Sequence, residues 1–207
     1  MGPDPIEIRV VGCLIEKQRA TPDAYPLTLN SLRLACNQST GRDPVTDYSD
    51  GDVRSALERL GRRGWTRNAS WAGSRAMKYK QVVNEALRLS EPEISLLAVL
   101  MLRGPQTPGE LKGRSERLHR FGSLPEVQEA LDALIERELV AKLPRRPGQK
   151  EERYAQLLGG DDEEAAAPAA APPAPTAEPQ PDRVAELERR LTALEDEVRA
   201  LREELGS

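Results

Sequence analysis

The chain has 207 residues, 30 Lys plus Arg against 34 Asp plus Glu, 38% hydrophobic positions and only 3% aromatic ones. No apolar run approaches the roughly 18 residues that span a bilayer, and no charged segment leading into an apolar signal core opens the chain, so a soluble cytoplasmic protein with a modest core is expected. Cys13 and Cys36 form no CxxC spacing and His119 is the single histidine, which argues against disulfides, a metal centre or His-based catalysis.

Helix start signals recur along the first 158 residues. Asp4-Pro5-Ile6-Glu7 places a capping oxygen three residues before a carboxylate, as in a capping box. Thr28 caps a second helix on which Leu29, Leu32 and Cys36 share a face. Ser49-Asp50-Gly51-Asp52 opens a third, with Val53, Leu57 and Leu60 turned inward. Trp65–Ser70 and Ala76–Val83 then flank a turn and read as a β-hairpin. The same series follows again, with starts at Ser90, Thr107 and Ser123 and a hairpin formed by Val140–Leu143 and Arg153–Leu158.

This is an internal duplication. An offset of 86 lays the run from Glu7 on that from Glu93 and brings Thr21-Pro22 onto Thr107-Pro108. An offset of 74 lays Val53, Ala56, Leu57 and Leu60 on Val127, Ala130, Leu131 and Leu134, and one of 75 lays Tyr79 on Tyr154. The difference of a dozen residues is placed around Gln38 to Tyr48 in the first copy, where the polar stretch NQSTGRDPV reads as a structural loop. Three helices and a terminal hairpin, twice over, are the layout of tandem winged helix-turn-helix domains, at residues 1–88 and 89–158. The fold class expected is mainly α with small β-hairpin wings.

Residues 159–181 hold six prolines, eight alanines and no large apolar side chain. Such a segment cannot bury a core and reads as a disordered, acidic Ala/Pro-rich linker. In residues 182–207, Val184, Leu187, Leu191, Leu194, Val198, Leu201 and Leu205 alternate spacings of three and four, the seam of a coiled coil. In a parallel homodimer Arg183, Arg190 and Glu197 face Glu188, Glu195 and Arg202, and all three pairs attract. Self-association through this helix is expected.

The wording of two stretches, CLIEKQRATPDAYPLTLNSLRLACNQSTGRDPV from Cys13 and LRGPQTPGELKGRSERLHRF from Leu102, resembles the YceH family of bacterial proteins. The similarity runs from about residue 6 to 158. It implies tandem winged-helix domains, often with a C-terminal coiled coil. It implies no activity and carries no ligand or catalytic residue with it.

Charge narrows the function. Residues 1–90 hold 14 basic and 10 acidic side chains, residues 91–158 hold 11 of each, and residues 159–207 hold 5 and 13. From Arg59 to Asn84 there is no acidic residue and one run of cations: Arg59, Arg62, Arg63, Arg67, Arg75, Lys78 and Lys80. In a winged helix the third helix enters the major groove and the hairpin follows the backbone, so phosphate contacts are expected here. Lys78 and Lys80 are expected on one face of a strand, Met77 and Tyr79 on the other. Arg54, on the outer side of the third helix with Ser55 and Glu58, is placed to reach a base edge.

The second copy's third helix instead carries Glu126, Glu129, Asp132, Glu136 and Glu138 against Arg137, and groove entry by it would be repelled. No phosphate-binding loop, HExxH or nucleophile elbow occurs, and no cofactor is implied. A homodimeric, non-enzymatic regulator binding double-stranded DNA is the expectation. A tandem winged-helix scaffold that binds another protein, as in chromosome-organising complexes, is the alternative.

Overall fold

The computed structural model describes residues 2–69, 76–145 and 151–159. The linker from residue 160, the heptads from Val184 to Leu205, Arg75 and Trp71 lie outside the described residues. Every helix start foreseen in the sequence is occupied. Helix α1 (Pro5–Ala20) opens where Asp4 Oδ1 accepts from Glu7 N at 2.8 Å and Glu7 Oε2 accepts from Asp4 N at 2.9 Å. Thr28 caps α2 (Leu29–Cys36), and Ser49 with Asp52 forms the capping box of α3 (Asp50–Arg62). In the second half Ser90 with Glu93 caps α5 (Glu91–Arg103), Thr107 with Glu110 caps α6 (Pro108–Ser115), and Ser123 caps α7 (Leu124–Glu136). A single turn, α4 (Val83–Ala86), leads into the second half. Each cap satisfies amide groups that the first turn leaves without an intrahelical partner.

The described residues are thus mainly helical, with two small antiparallel sheets. Strand β2 (Thr66–Ala69) pairs with β3 (Lys78–Gln81), and β3 also takes a two-residue strand, β1 (Leu27–Thr28), in the order β1-β3-β2. Leu27 stands opposite Tyr79, and Arg67 opposite Lys80. In the second half β4 (Val140–Leu143) pairs with β5 (Arg153–Gln156), and the counterpart of β1 is a single bridge from Gln106 to Tyr154. Two residues are too few to show the alternation by which strands are recognised, so β1 was not foreseen.

The caps correct the register of the duplication. Asp4 and Ser90 cap the first helices at an offset of 86, Thr28 and Thr107 cap the second at 79, and Ser49 and Ser123 cap the third at 74. The extra dozen residues therefore divide into seven between the first and second caps, three of them lengthening α1 and four in the connection where Pro22–Ala24 makes a 3-10 turn, and five between the second and third helices. Thr21 closes α1 rather than opening α2, so its match to Thr107 is a coincidence of composition.

Both leading helices are central. Residues Ile8 to Ile15 of α1 and Ile94 to Leu102 of α5 are all buried, which is why neither shows a polar face. They pack on each other closely at Gly12, where an added Cβ would lie 3.0 Å from Leu102 Cδ2 and 3.1 Å from Met101 Cβ. One continuous core takes residues from both halves, including Val53, Leu57 and Leu60 of α3 and Val127, Leu131 and Leu134 of α7.

The polar segment after α2 is lashed down by two buried arginines. Arg9 Nη2 donates to Pro44 O at 2.8 Å, Arg42 Nε donates to Ala35 O at 2.9 Å, and Arg42 Nη2 meets Glu16 Oε2 at 2.6 Å. Asp43 N donates to Leu102 O at 2.9 Å and ties the loop to α5. Burial opposes charge on Glu16, but hydrogen bonding from Arg42 outweighs it and holds the carboxyl below the ordinary value of 4.5. Buried guanidinium groups of this kind are tolerated because their donors are met.

Candidate nucleic-acid interface

The basic run divides into an outer and an inner set by the helical period. Arg54, Glu58 and Arg62 follow one another four residues apart on the exposed side of α3. Arg54 and Arg62 make no ion pair among the described residues. Lys78 and Lys80 are half-exposed on one face of β3 and likewise carry no ion pair there, while Tyr79 packs on the core and Gln81 is buried. Tyr25 braces this strand from behind, its hydroxyl accepting from Gln81 N at 2.6 Å, and burial pushes that phenol up to about 12. Met77, expected beside Tyr79, precedes the strand and is 47% exposed.

The inner arginines are spent on the fold, which corrects the expectation of unopposed charge. Arg59 Nη2 meets Asp4 Oδ2 at 2.5 Å, and its Nε lies 3.4 Å from Glu7 Oε2. Arg63 Nε donates to Glu7 Oε1 at 3.2 Å and its Nη2 to Gly2 O at 2.8 Å. Glu7 is 2% exposed, so these contacts hold a carboxylate away from water. The same clamp recurs in the second half, where Arg137 Nη1 donates to Glu93 Oε1 at 3.3 Å. Arg63 and Arg137 stand at the offset of 74, and Glu7 and Glu93 at 86. Aligning the halves would have found them, but the clamp joins residues 56 positions apart in sequence and nothing local announces it.

Arg67 is a middle case. It lies 3.8 Å from Glu85, with both side chains 64% exposed, a pair that water screens nearly completely. Asp50 and Asp52, which would face phosphate at the start of α3, are both engaged: Asp50 meets Arg33 Nε at 2.8 Å and Asp52 accepts from Ser49. Glu58 is the carboxylate left between Arg54 and Arg62. The outer surface therefore offers Arg54, Arg62, Lys78 and Lys80, with Arg67 at its edge.

The corresponding stripe of α7 reads differently. Gln128, Asp132 and Glu136 occupy the positions of Arg54, Glu58 and Arg62, and Asp132 accepts from Gln128 Nε2 at 2.7 Å. No helix among the described residues is long and apolar enough to cross a membrane. Within the same residues, no group of three or more His, Cys, Asp or Glu is disposed to hold a metal ion. Cys13 and Cys36 are buried and free.

A family model described as "Protein of unknown function, DUF480" matches residues 4–149, from the cap of α1 to beyond β4. The chain belongs to the DUF480 family. A UPF0502 protein of Geotalea uraniireducens (strain Rf4) is 46% identical over 199 residues, covering 95% of this chain and 89% of the relative. One from Geobacter metallireducens is 50% identical over 169 residues, 81% of this chain and 77% of that one. UPF0502 protein Shewmr7_1629 of Shewanella sp. (strain MR-7) is 43% identical over 211 residues, 97% and 95% of the two chains. The DUF480 span takes in both Glu–Arg clamps and both outer stripes, so the acidic and basic faces belong to one family unit.

Proposed function

We propose that this DUF480 protein is a non-enzymatic DNA-binding protein of tandem winged-helix type, meeting duplex DNA through α3 and β3. The observation that carries the proposal is the group Arg54, Arg62, Lys78 and Lys80, which projects from one helix and one strand and makes no ion pair among the described residues. The order helix, strand, helix, helix, hairpin, with a β1-β3-β2 sheet, supports the winged-helix assignment. Phosphate holds the lysines and Arg62, while Arg54 lies nearer the start of α3, where a recognition helix meets base edges. The heptads from Val184 to Leu205 join two such bodies, and regulation of transcription is the use this arrangement suits. Two DNA-binding bodies on one tether raise avidity without new contacts.

Binding to random duplex DNA across a salt series tests this. Four neutralised phosphates give a log–log slope of about −3 to −4, since each contributes about −0.9. Replacing Arg54, Arg62, Lys78 and Lys80 together by Gln abolishes binding, whereas Arg59→Gln leaves the slope unchanged. Absence of binding at low salt, or binding indifferent to the fourfold replacement, overturns the assignment. The second reading, a protein-binding scaffold without DNA readout, is favoured by the acidic exposed stripe of α7.

A further inference from the structure

A groove of about 980 Å³ lies between the outer face of α7, the start of α6 and the β4-β5 hairpin. Its floor is apolar, with Pro108, Leu124, Pro125 and Ala133, and Leu124 is 50% exposed. Its walls are acidic: Glu129, Asp132, Glu136 and Glu151. Glu129, Glu136 and Glu151 make no ion pair among the described residues. The one cation in the lining among the described residues, Arg145, is engaged at 3.5 Å by Glu152, which also holds Lys142 at 2.6 Å. An apolar floor open to water beside carboxylates that make no ion pair among the described residues is the complement of a side-chain set that is apolar on one stripe and cationic beside it.

A second observation bears on the same carboxylates. Helices α1, α2, α3, α5 and α6 each carry Lys or Arg in the last turn, where the helix dipole favours a cation. Helix α7 carries none and ends on Glu136. The equivalent position in the first half is Arg62, the residue the helix end favours. Negative charge at Glu136 is thus placed against the helix dipole, with the next residue, Arg137 at the C-cap, turned to Glu93.

We propose that this groove docks a basic amphipathic helix of a partner protein. The 13 residues of α7 extend for about 20 Å, room for roughly three to four turns of a partner helix laid alongside. Leucine-like side chains recurring at i, i+3 and i+7 seat on Leu124, Pro125 and Ala133, and flanking Lys or Arg meets Glu129, Asp132, Glu136 and Glu151. The site is separate from Arg54, Arg62, Lys78 and Lys80 and holds whether or not α3 meets DNA.

The test uses the full chain and a fluorescein-labelled peptide of two Leu-Lys-Arg-Leu-Ala-Lys-Ala repeats, read by anisotropy. Two further peptides serve as comparisons, one with Ser for Leu and one with Glu for Lys and Arg. Binding of the first peptide is expected, at least tenfold tighter than the serine peptide, with none of the glutamate peptide. Asp132→Lys with Glu136→Arg is expected to lose at least tenfold, and its melting temperature stays level or rises because the helix end gains its favoured charge. Arg62→Glu, outside the groove lining, leaves peptide affinity unchanged. Equal binding of the leucine and serine peptides reduces the groove to bare charge and overturns the proposal, as does affinity unaltered by the double replacement. Concentration-dependent self-association of the full chain that the double replacement removes, with no peptide bound, assigns the groove to a second copy and overturns it equally.

Discussion

Replacing Arg63 by Ala isolates the clamp that ties α3 to the start of α1. The change removes the Nε donor to Glu7 at 3.2 Å and the Nη2 donor to Gly2 O at 2.8 Å. A hydrogen bond to a charged group contributes about 1.5–3 kcal/mol. The Arg63 side chain is 31% exposed and Arg59 still stands 3.4 Å from the same carboxylate, so the expected cost falls to about 1–2 kcal/mol. Glu7, 2% exposed, cannot regain that loss from water. Arg62, one residue earlier, is exposed and without an ion pair among the described residues, so Arg62→Ala is expected within about 0.5 kcal/mol of the parent. For a body of this size 1 kcal/mol moves the melting temperature by about 2–4 °C. Arg63→Ala should therefore melt roughly 3–6 °C lower and Arg62→Ala within about 2 °C. Circular dichroism melts and urea titrations read both, and a cycle with Glu7→Gln should return a coupling of about 1 kcal/mol. Equal melting temperatures for the two alanine variants, or a coupling near zero, would refute the division of α3 into structural and outward arginines.

Four other outcomes follow from the same geometry. Gly64 has φ +74° with nothing within 4 Å of an added Cβ, so Gly64→Ala should cost about 1–2 kcal/mol by calorimetry through backbone conformation alone. Glu138, at the equivalent position with φ 55°, should by the same measure gain up to about 1 kcal/mol on replacement by Gly. Gly12→Val should lower the urea midpoint by the equivalent of about 2 kcal/mol, because its first added carbon already meets Leu102 and Met101 at 3.0–3.1 Å. Burial opposes charge on Glu16 and Glu93, yet hydrogen bonds from Arg42 to the first, and from Ser90 and Arg137 to the second, hold both carboxyls below 4.5. The stability they contribute is complete above about pH 4.5 and is lost as pH falls through their lowered values. Melting temperature should then be flat from about pH 5 to 8 and fall below about pH 4, and Glu16→Gln should blunt that acid limb; an unchanged limb would count against it.

What was legible in the sequence was short-range chemistry. Asp4 with Glu7, Ser49 with Asp52, Ser90 with Glu93 and Thr107 with Glu110 all form reciprocal capping boxes, because a box needs residues only three apart. Ser123 caps α7, but Glu126 turns instead to Gly122 N at 2.7 Å. The faces of α3 and α7 followed from the 3.6-residue period, with Val53, Leu57, Leu60, Val127, Leu131 and Leu134 in the core. Long-range pairing was not legible: charge alone does not distinguish Arg62, at the surface, from Arg63, whose partner lies at the other end of the unit. The Thr-Pro coincidence misled for a related reason, since Thr21 and Thr107 share composition but end and begin helices respectively. Glu129, Asp132 and Glu136 were noticed as acidic, but the apolar floor beside them arises only when Pro108 and the β4-β5 hairpin come alongside α7.

Because α1 and α5 are buried along their length and pack on each other as well as on their own halves, neither repeat owns a complete interior. A protease nick followed by separation, or an expression boundary set at the junction near Leu89, would strip both helices of a neighbour and leave a continuous water-averse wall on each fragment. Such half-molecules should aggregate rather than refold. Dissection by truncation is therefore the wrong tool for telling the cationic and anionic faces apart; point substitutions on the outer stripes are the right one.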